Sequence, residues 1–279
     1  MKRKLGVHLA LWTRNWADDV VPYARIAAEL GYDGVELSLL GRARHAPEET
    51  GKAIADLGLG VTATTGLSRA TDLASPDPDT RAAGLHELRQ AIEATHRLGA
   101  DRLCGVVYGA WGVTDGPHRA ERFERAVEGL AEASRLAEER GVSLGVEAIN
   151  RFETDLVNTA QQALKMVSAV GSPALGVLLD SFHMNIEEED APDAIRLAGP
   201  KLLHFHVSDN DRGVPGGGPI DFTAEARMLD EIGYTGWVTA EMFIAAGVDV
   251  SSDLAIWRPI EQDPTEAARR TLTFLRETF

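Results

Sequence analysis

Glycines that close a helical stretch and lead into a short apolar run recur along this chain, and they constrain its fold more than any other feature. The segments AELGYDGVEL, ADLGLGVTA, HRLGADRL, EERGVSLG and DEIGYTGW each carry one, at the place where a left-handed C-cap conformation ends a helix. Strand-like runs lie at 5–12, 34–39, 60–66, 102–108, 142–148, 174–180, 202–208 and 236–243. Between them the apolar spacing turns helical. The stretch 118–140 aligns Phe123, Val127, Leu130, Ser134 and Ala137 on one face, and 158–170 aligns Ala160, Ala163, Val167 and Val170. Eight strand–helix units in 279 residues, about 35 residues each, predict a (β/α)8 TIM barrel. An open doubly wound sheet would bring a Gly-rich turn after its first strand, but LWTRNWADD has no glycine. No linker or low-complexity tract divides the chain, so a single domain over 1–279 is expected.

In such a barrel the C-terminal strand ends converge on one rim. The fifth strand ends at Glu147, the sixth at Asp180, the seventh at His206 and the eighth at Glu241, each about one unit from the next. One acid at a strand end is ordinarily a solvated loop residue or a helix cap. Four ligand-type side chains on four successive strands are expected to share a metal ion. Three carboxylates brought together repel and raise one another's pKa, and a divalent cation relieves this. An O3N donor set suits Mn2+, Mg2+ or Co2+ better than a thiolate-seeking ion. His204, two residues before His206, lies on the same strand face but deeper, where a structural role is expected.

Composition excludes other classes. A formal charge of −15 argues against a nucleic-acid partner, whose phosphates need Lys and Arg. The lone Cys104, in the apolar run RLCGVV, permits no intrachain disulfide and no multi-cysteine metal site, and reads as a buried core thiol. The start MKRKLGVHLALW imitates a signal peptide, yet its apolar run is short, holds His8 and meets Arg14 without a small-residue cleavage site. No segment approaches the roughly 20 apolar residues of a membrane span. A cytoplasmic protein without a membrane partner is expected.

The strand ends carry longer motifs. EAINRFE (147–153), LDSFHMNIEEED (179–190), HFH (204–206), VTAEMF (238–243) and WRPI (257–260) resemble the D-tagatose 3-epimerase and D-allulose (psicose) 3-epimerase family of ketose 3-epimerases, within the xylose isomerase-like barrels. The likeness runs from LALWTRNW (9–16) to the C-terminal helix. It implies metal ligation by Glu147, Asp180, His206 and Glu241, with Mn2+ first among the candidate ions. It also implies that Glu147 and Glu241 are the paired acid/base groups, and that Glu153, His183 and Arg212 hold substrate oxygens. A homodimer or homotetramer is implied as well. Taken alone, a glutamate six residues past a ligand and a histidine in a loop would be expected to face solvent. The chain departs from the family at HVSDNDR, where Asp209 and Asp211 replace Glu and Asn, at EMF for E-P-F, and at AWG for A-W-P.

The chemistry explains the pairing. Removing the C3 proton of a ketose gives an enediolate whose charge must be stabilised where it forms. Inversion needs proton removal on one face and return on the other, hence two groups, on strands five and eight. Trp12, Trp16 and Trp111 follow strands one and four, placed to stack on a sugar or to pack a lid. The GVPGGGP run (213–219) beside Arg212 is read as a loop, with a sugar phosphate kept open. Four alternatives stay open at this stage. They are an aldose–ketose or hydroxypyruvate-type isomerase, an inosose dehydratase or isomerase, an endonuclease IV-like nuclease, and a non-catalytic sugar-binding barrel.

Overall fold

The structure, a computed structural model, describes residues 3–40, 46–114 and 118–279. Eight parallel strands close into a barrel in chain order: β1 Lys4–His8, β2 Gly34–Ser38, β3 Gly60–Leu67, β4 Arg102–Ala110, β5 Ser143–Glu147, β6 Leu175–Asp180, β7 Leu202–Val207 and β8 Trp237–Ala240. Outside lie α1 Val21–Leu30, α2 Pro47–Asp56, α3 Pro78–Arg97, α4 Arg119–Arg140, α5 Ala160–Val170, α6 Ser181–Glu187, α7 Ala191–Ala198, α8 Phe222–Glu231, α9 Asp249–Asp253 and α10 Pro264–Thr278. All eight expected strands are present. All five expected capping glycines, Gly31, Gly58, Gly99, Gly141 and Gly233, have positive φ.

Two strand bounds are corrected. The first strand stops at His8 because its imidazole Nδ1 accepts the N–H of Ala10 and turns the chain into a short 3-10 turn, Leu9–Leu11. The eighth stops at Ala240, so Glu241 stands one residue beyond it, its N–H still donated to Val207 O at 3.0 Å.

The two ends of the barrel are built differently. At the N-terminal end, Gly6, Gly34 and Gly60 are register neighbours, and the indole of Trp237 fills the space their missing side chains leave. A Cβ on Gly34 would lie 2.3 Å from that ring and 2.6 Å from Gly60 O. Glycine is therefore required there by close approach, since backbone and a wedged indole cannot give way. Above this floor the inward positions become polar: Glu36 is flanked in register by His8 on β1 and Thr62 on β3, and His206 by Asp180 on β6 and Thr239 on β8. Outward positions such as Val35, Leu103, Val146, Phe205 and Val238 are buried under the helices. Cys104 is buried on β4, as expected.

Gly34→Ala is expected to destabilise the protein by about 1–3 kcal/mol, the usual cost of overpacking a full core. Urea unfolding followed by far-UV circular dichroism measures it, and an unchanged midpoint would contradict the floor described above.

Candidate active site

Strand ends of β5 to β8 bring Glu147, Asp180, His206 and Glu241 together: one ligand-type atom from each lies within 4.8 Å of all the others. Asp180 and His206 are fully buried, Glu147 is 8% exposed, and Glu241 is half-buried. Asp180 Oδ1 caps α6 by accepting the Phe182 N–H at 2.9 Å, while its Oδ2 is buried without a hydrogen-bond partner. The Nδ1 of His206 is likewise buried without one, 3.6 Å from Glu241 Oε2. Buried polar atoms are normally satisfied. Two orphaned donor atoms, aimed into a group of three carboxylates, fit a divalent cation.

The electrostatics of the two glutamates differ. Burial pushes the Glu147 carboxyl well above its usual range, and the nearby Glu241 and Asp180 charges add to this. Burial acts on Glu241 too, but His206, His8 and Arg212 outweigh it and hold that carboxyl at about 2. In the metal-free chain, Glu147 is thus the more readily protonated member and Glu241 the more acidic one.

Arg212 ties this cluster to the pocket wall. Its guanidinium donates to Glu241 Oε2 at 3.2 Å and to Glu153 Oε1 at 3.1 Å, and lies 4.1 Å over the Phe182 ring and 5.3 Å over that of Phe243. Its backbone is left-handed, φ 64°, held by Arg212 N–H to Asp209 O and by Phe243 N–H to Arg212 O. A non-glycine residue held in that region costs about 1 kcal/mol.

Glu153 and His183, expected from their positions alone to face solvent, do not. Glu153 is half-buried and accepts from Trp111 Nε1 at 2.8 Å, Asn150 Nδ2 at 2.7 Å and Arg212. His183 is 2% exposed, and its Nδ1 accepts the backbone N–H of Asn150 at 3.1 Å. Its Nε2 faces the Arg212 guanidinium at 3.3 Å and Glu147 Oε1 at 3.6 Å, so the ring bridges the cation and the carboxylate cluster. Burial and the Arg212 charge keep the ring neutral. Asn150, buried in the middle of EAINRFE, is the hinge of this arrangement and was not singled out in the sequence. Its signal was there: a polar residue three positions past a strand-end ligand.

Of the three tryptophans, Trp16 and Trp111 line the pocket, and Trp12 does not. Trp12 stacks on Tyr23 and donates to Thr265 Oγ1, packing β1 against α10. The inner cavity, about 70 Å3, shares Trp111, Glu153, Arg212 and Leu254 with an outer one of about 590 Å3. A separate cavity of about 570 Å3, lined by Leu37, Ala94 and Leu98, lies away from these groups.

The departures in HVSDNDR have local causes. Asp209 is 2% exposed, and its Oδ2 accepts the N–H groups of Gly216, Gly217 and Gly218 at 3.0, 2.9 and 2.7 Å. Three convergent N–H groups form an anion nest, and here the chain's own carboxylate fills it. Asp211 accepts from Gly213 N–H and faces Arg258. Gly112, in place of proline, has φ 75° and donates its N–H to Glu153 O, neither of which proline can do.

Comparison with known proteins agrees with this geometry. The family model for the xylose isomerase-like TIM barrel matches residues 24–278. A D-psicose 3-epimerase from Agrobacterium fabrum is 33% identical, with 98% of each chain covered. The chain belongs to the ketose 3-epimerases. An L-ribulose 3-epimerase from Methylomonas sp. is 32% identical, over 98% of this chain and 97% of that one. A crystal structure of a D-psicose 3-epimerase in the presence of D-fructose superposes with a TM-score of 0.95 at 33% identity, over 99% of each chain. Within this family of isomerases, the present chain fills its glycine loop from within, with the Asp209 carboxylate.

Against its burial, the Glu36 and Glu241 charges raise the His206 imidazole well above its usual range, and that ring must free a nitrogen to bind a cation, so metal uptake is expected to release protons. Affinity should rise with pH and level off once the His206 ring is neutral in the metal-free chain. Calorimetric titration of Mn2+ in buffers of different ionisation enthalpy reads the proton count, and a count of zero would contradict the charge assigned to His206.

Proposed function

We propose that this chain inverts C3 of a free ketohexose or ketopentose, of the D-tagatose, D-fructose, D-allulose and L-ribulose class, by two-base proton transfer. The observation that carries this reading is the pairing of Glu147 and Glu241. Their oxygens lie within 4.8 Å in one cluster, on strands three apart, with environments that drive their protons in opposite directions. Groups whose surroundings separate their pKa values in this way are suited to opposite acid and base roles.

In the proposed cycle, ionised Glu241 takes the C3 proton from one face of the sugar and leaves an enediolate. Glu147 returns a proton to the other face. The reverse reaction exchanges the two roles. Glu147, Asp180, His206 and Glu241 would hold a divalent ion, Mn2+ first and Mg2+ or Co2+ next, which when bound supplies Lewis-acid stabilisation of the developing charge. Glu153, His183 and Arg212 would bind substrate oxygens: a half-buried carboxylate accepts from hydroxyls, the buried His183 imidazole offers them a polar edge, and the guanidinium donates and carries positive charge. Trp16 and Trp111 offer ring faces to sugar C–H groups and exclude water.

The Asp209 carboxylate in the glycine nest supports an unphosphorylated substrate, because a phosphate would find those N–H groups taken. Exposed Phe152 and Trp257, 74% and 76% accessible, support a homodimer or homotetramer. A reducing, cytoplasmic setting suits the single buried thiol. Among the described residues no helix is long and apolar enough to cross a membrane.

Incubation with Mn2+ and D-fructose, D-tagatose, L-ribulose or a ketose phosphate in D2O, followed by NMR, is expected to place deuterium at C3 with formation of the C3 epimer of the free sugars. Exchange at C1 or C2 with an aldose product would replace epimerisation by aldose–ketose isomerisation. Glu241→Gln and Glu147→Gln are each expected to lower kcat roughly 10²–10⁴-fold. Each should still exchange the C3 proton of one epimer, a different epimer for each variant. Loss of exchange from the same epimer in both would contradict the two-base assignment.

A further inference from the structure

Below the four strand-end groups the barrel interior holds a second ionisable cluster that the proton-transfer scheme does not use. Glu36, in the middle of β2, is 0% exposed. Its Oε1 lies 2.7 Å from His206 Nε2, and its Oε2 lies 2.8 Å from His204 Nε2 while accepting Thr62 Oγ1–H at 2.7 Å. A carboxylate inside a barrel costs several kcal/mol in desolvation unless its neighbours compensate it, and nothing about closing eight strands requires one here. Valine or leucine would serve packing at that position. The geometry instead makes sense from the side of His206.

A neutral imidazole has one N–H and one lone pair. Neither ring nitrogen of His206 has a fully aligned hydrogen bond: Nε2 stands against Glu36 Oε1, and Nδ1 faces Glu241 Oε2 at 3.6 Å on the side of the strand-end carboxylates. To offer a lone pair there, the ring must keep its proton on Nε2 and hold its plane. We propose that Glu36 is the positioning residue for the metal centre: it receives the Nε2 proton of His206, fixes that tautomer and ring orientation, and so presents Nδ1 to the ion. His204 and Thr62 are its clamp. They stand at the second oxygen, so the carboxylate cannot rotate away from His206 without losing the Thr62 hydrogen bond and the close His204 contact. The carboxylate also raises the basicity of the ring it holds, as carboxylates behind metal-bound histidines do. The placement is set by the barrel, since Glu36 pairs in register with Thr62 on β3, and His204 and His206 share the inward face of β7. This assigns His204 a role in the clamp rather than in packing alone.

The inference rests on the reading that the strand-end cluster holds a divalent ion, and the experiment separates the two. Mn2+ binding is measured by calorimetry on the metal-stripped full chain, its Glu36→Gln variant and its Thr62→Val variant. Ketose KM and kcat are recorded at saturating Mn2+, and the His206 Nε2–H is observed by long-range proton–nitrogen NMR in the Mg2+-loaded protein. The expected result is one Mn2+ per wild-type chain, bound about 10–100-fold more weakly by Glu36→Gln. The Thr62→Val variant should fall between, KM for the ketose should hold, and the Nε2–H resonance should move upfield in Glu36→Gln. Equal Mn2+ affinity in a folded Glu36→Gln overturns the role of Glu36 alone. If that variant does not fold, wild-type affinity in Thr62→Val overturns it. Two ions per wild-type chain, one of them lost in Glu36→Gln, would make Glu36 a ligand and overturn positioning. A wild-type chain that takes up no Mn2+ removes the metal reading beneath both.

Discussion

Three buried carboxylates share one point at the mouth of this barrel, and their mutual repulsion is the constraint around which the rest is arranged. Left alone, Glu147, Asp180 and Glu241 could not all ionise. Burial and neighbouring charge push the Glu147 carboxyl well above its usual range, and Asp180 is pushed upward by the same causes. The protein answers with cationic partners on one side and orphaned donor atoms on the other. Arg212 reaches Glu241 and Glu153 from a strained backbone, pinned between two phenylalanine rings. His206 turns one nitrogen to the carboxylates and the other to Glu36. The arrangement is polarised, and polarisation is what proton transfer in two directions needs.

The scaffold divides its labour along the barrel axis. A glycine floor plugged by Trp237 closes the N-terminal end with packing alone, tolerating no extra atom at Gly34. Ionisable groups then ascend toward the C-terminal mouth, from Glu36 and His204 to His206 and the strand-end acids. Loops after the strands supply the adaptable part: Asp209 organises a glycine nest, and Gly112 donates to the backbone of Glu153. These loops carry most of the residues by which the chain departs from the family's pattern, Asp209, Asp211 and Gly112, while Met242 beside Glu241 departs at a strand end.

How far the sequence reads follows from where each signal lives. Eight strands and the capping glycines were legible because a βα unit repeats the same local physics eight times, and a left-handed cap is a property of one residue. The convergence of the four strand-end side chains was legible because an acid that ends an apolar run is out of place, and four such acids or histidines keep the barrel's period. Glu36 passed unseen within GVELSL, since a single glutamate inside a strand pattern looks like a solvent-facing position until closure turns that face inward. Glu153 and His183 were misjudged residue by residue for the same reason. Their burial is made by Trp111, Asn150 and Arg212, which come from other loops, and sequence distance hides those contacts. For Trp12 the sequence left stacking on a sugar and packing equally open. The 3-10 turn begun by His8 decides for packing, against Tyr23 and Thr265.

The account's central claim is that one divalent ion resolves the repulsion at the strand ends. Anomalous diffraction at the manganese edge, from crystals of the full chain grown with Mn2+, tests it most directly. The account predicts one peak, enclosed by Glu147, Asp180, His206 Nδ1 and Glu241, with Glu36 still against His206 Nε2. A peak between Glu36, His204 and His206, or no peak at the strand ends under saturating Mn2+, would contradict it.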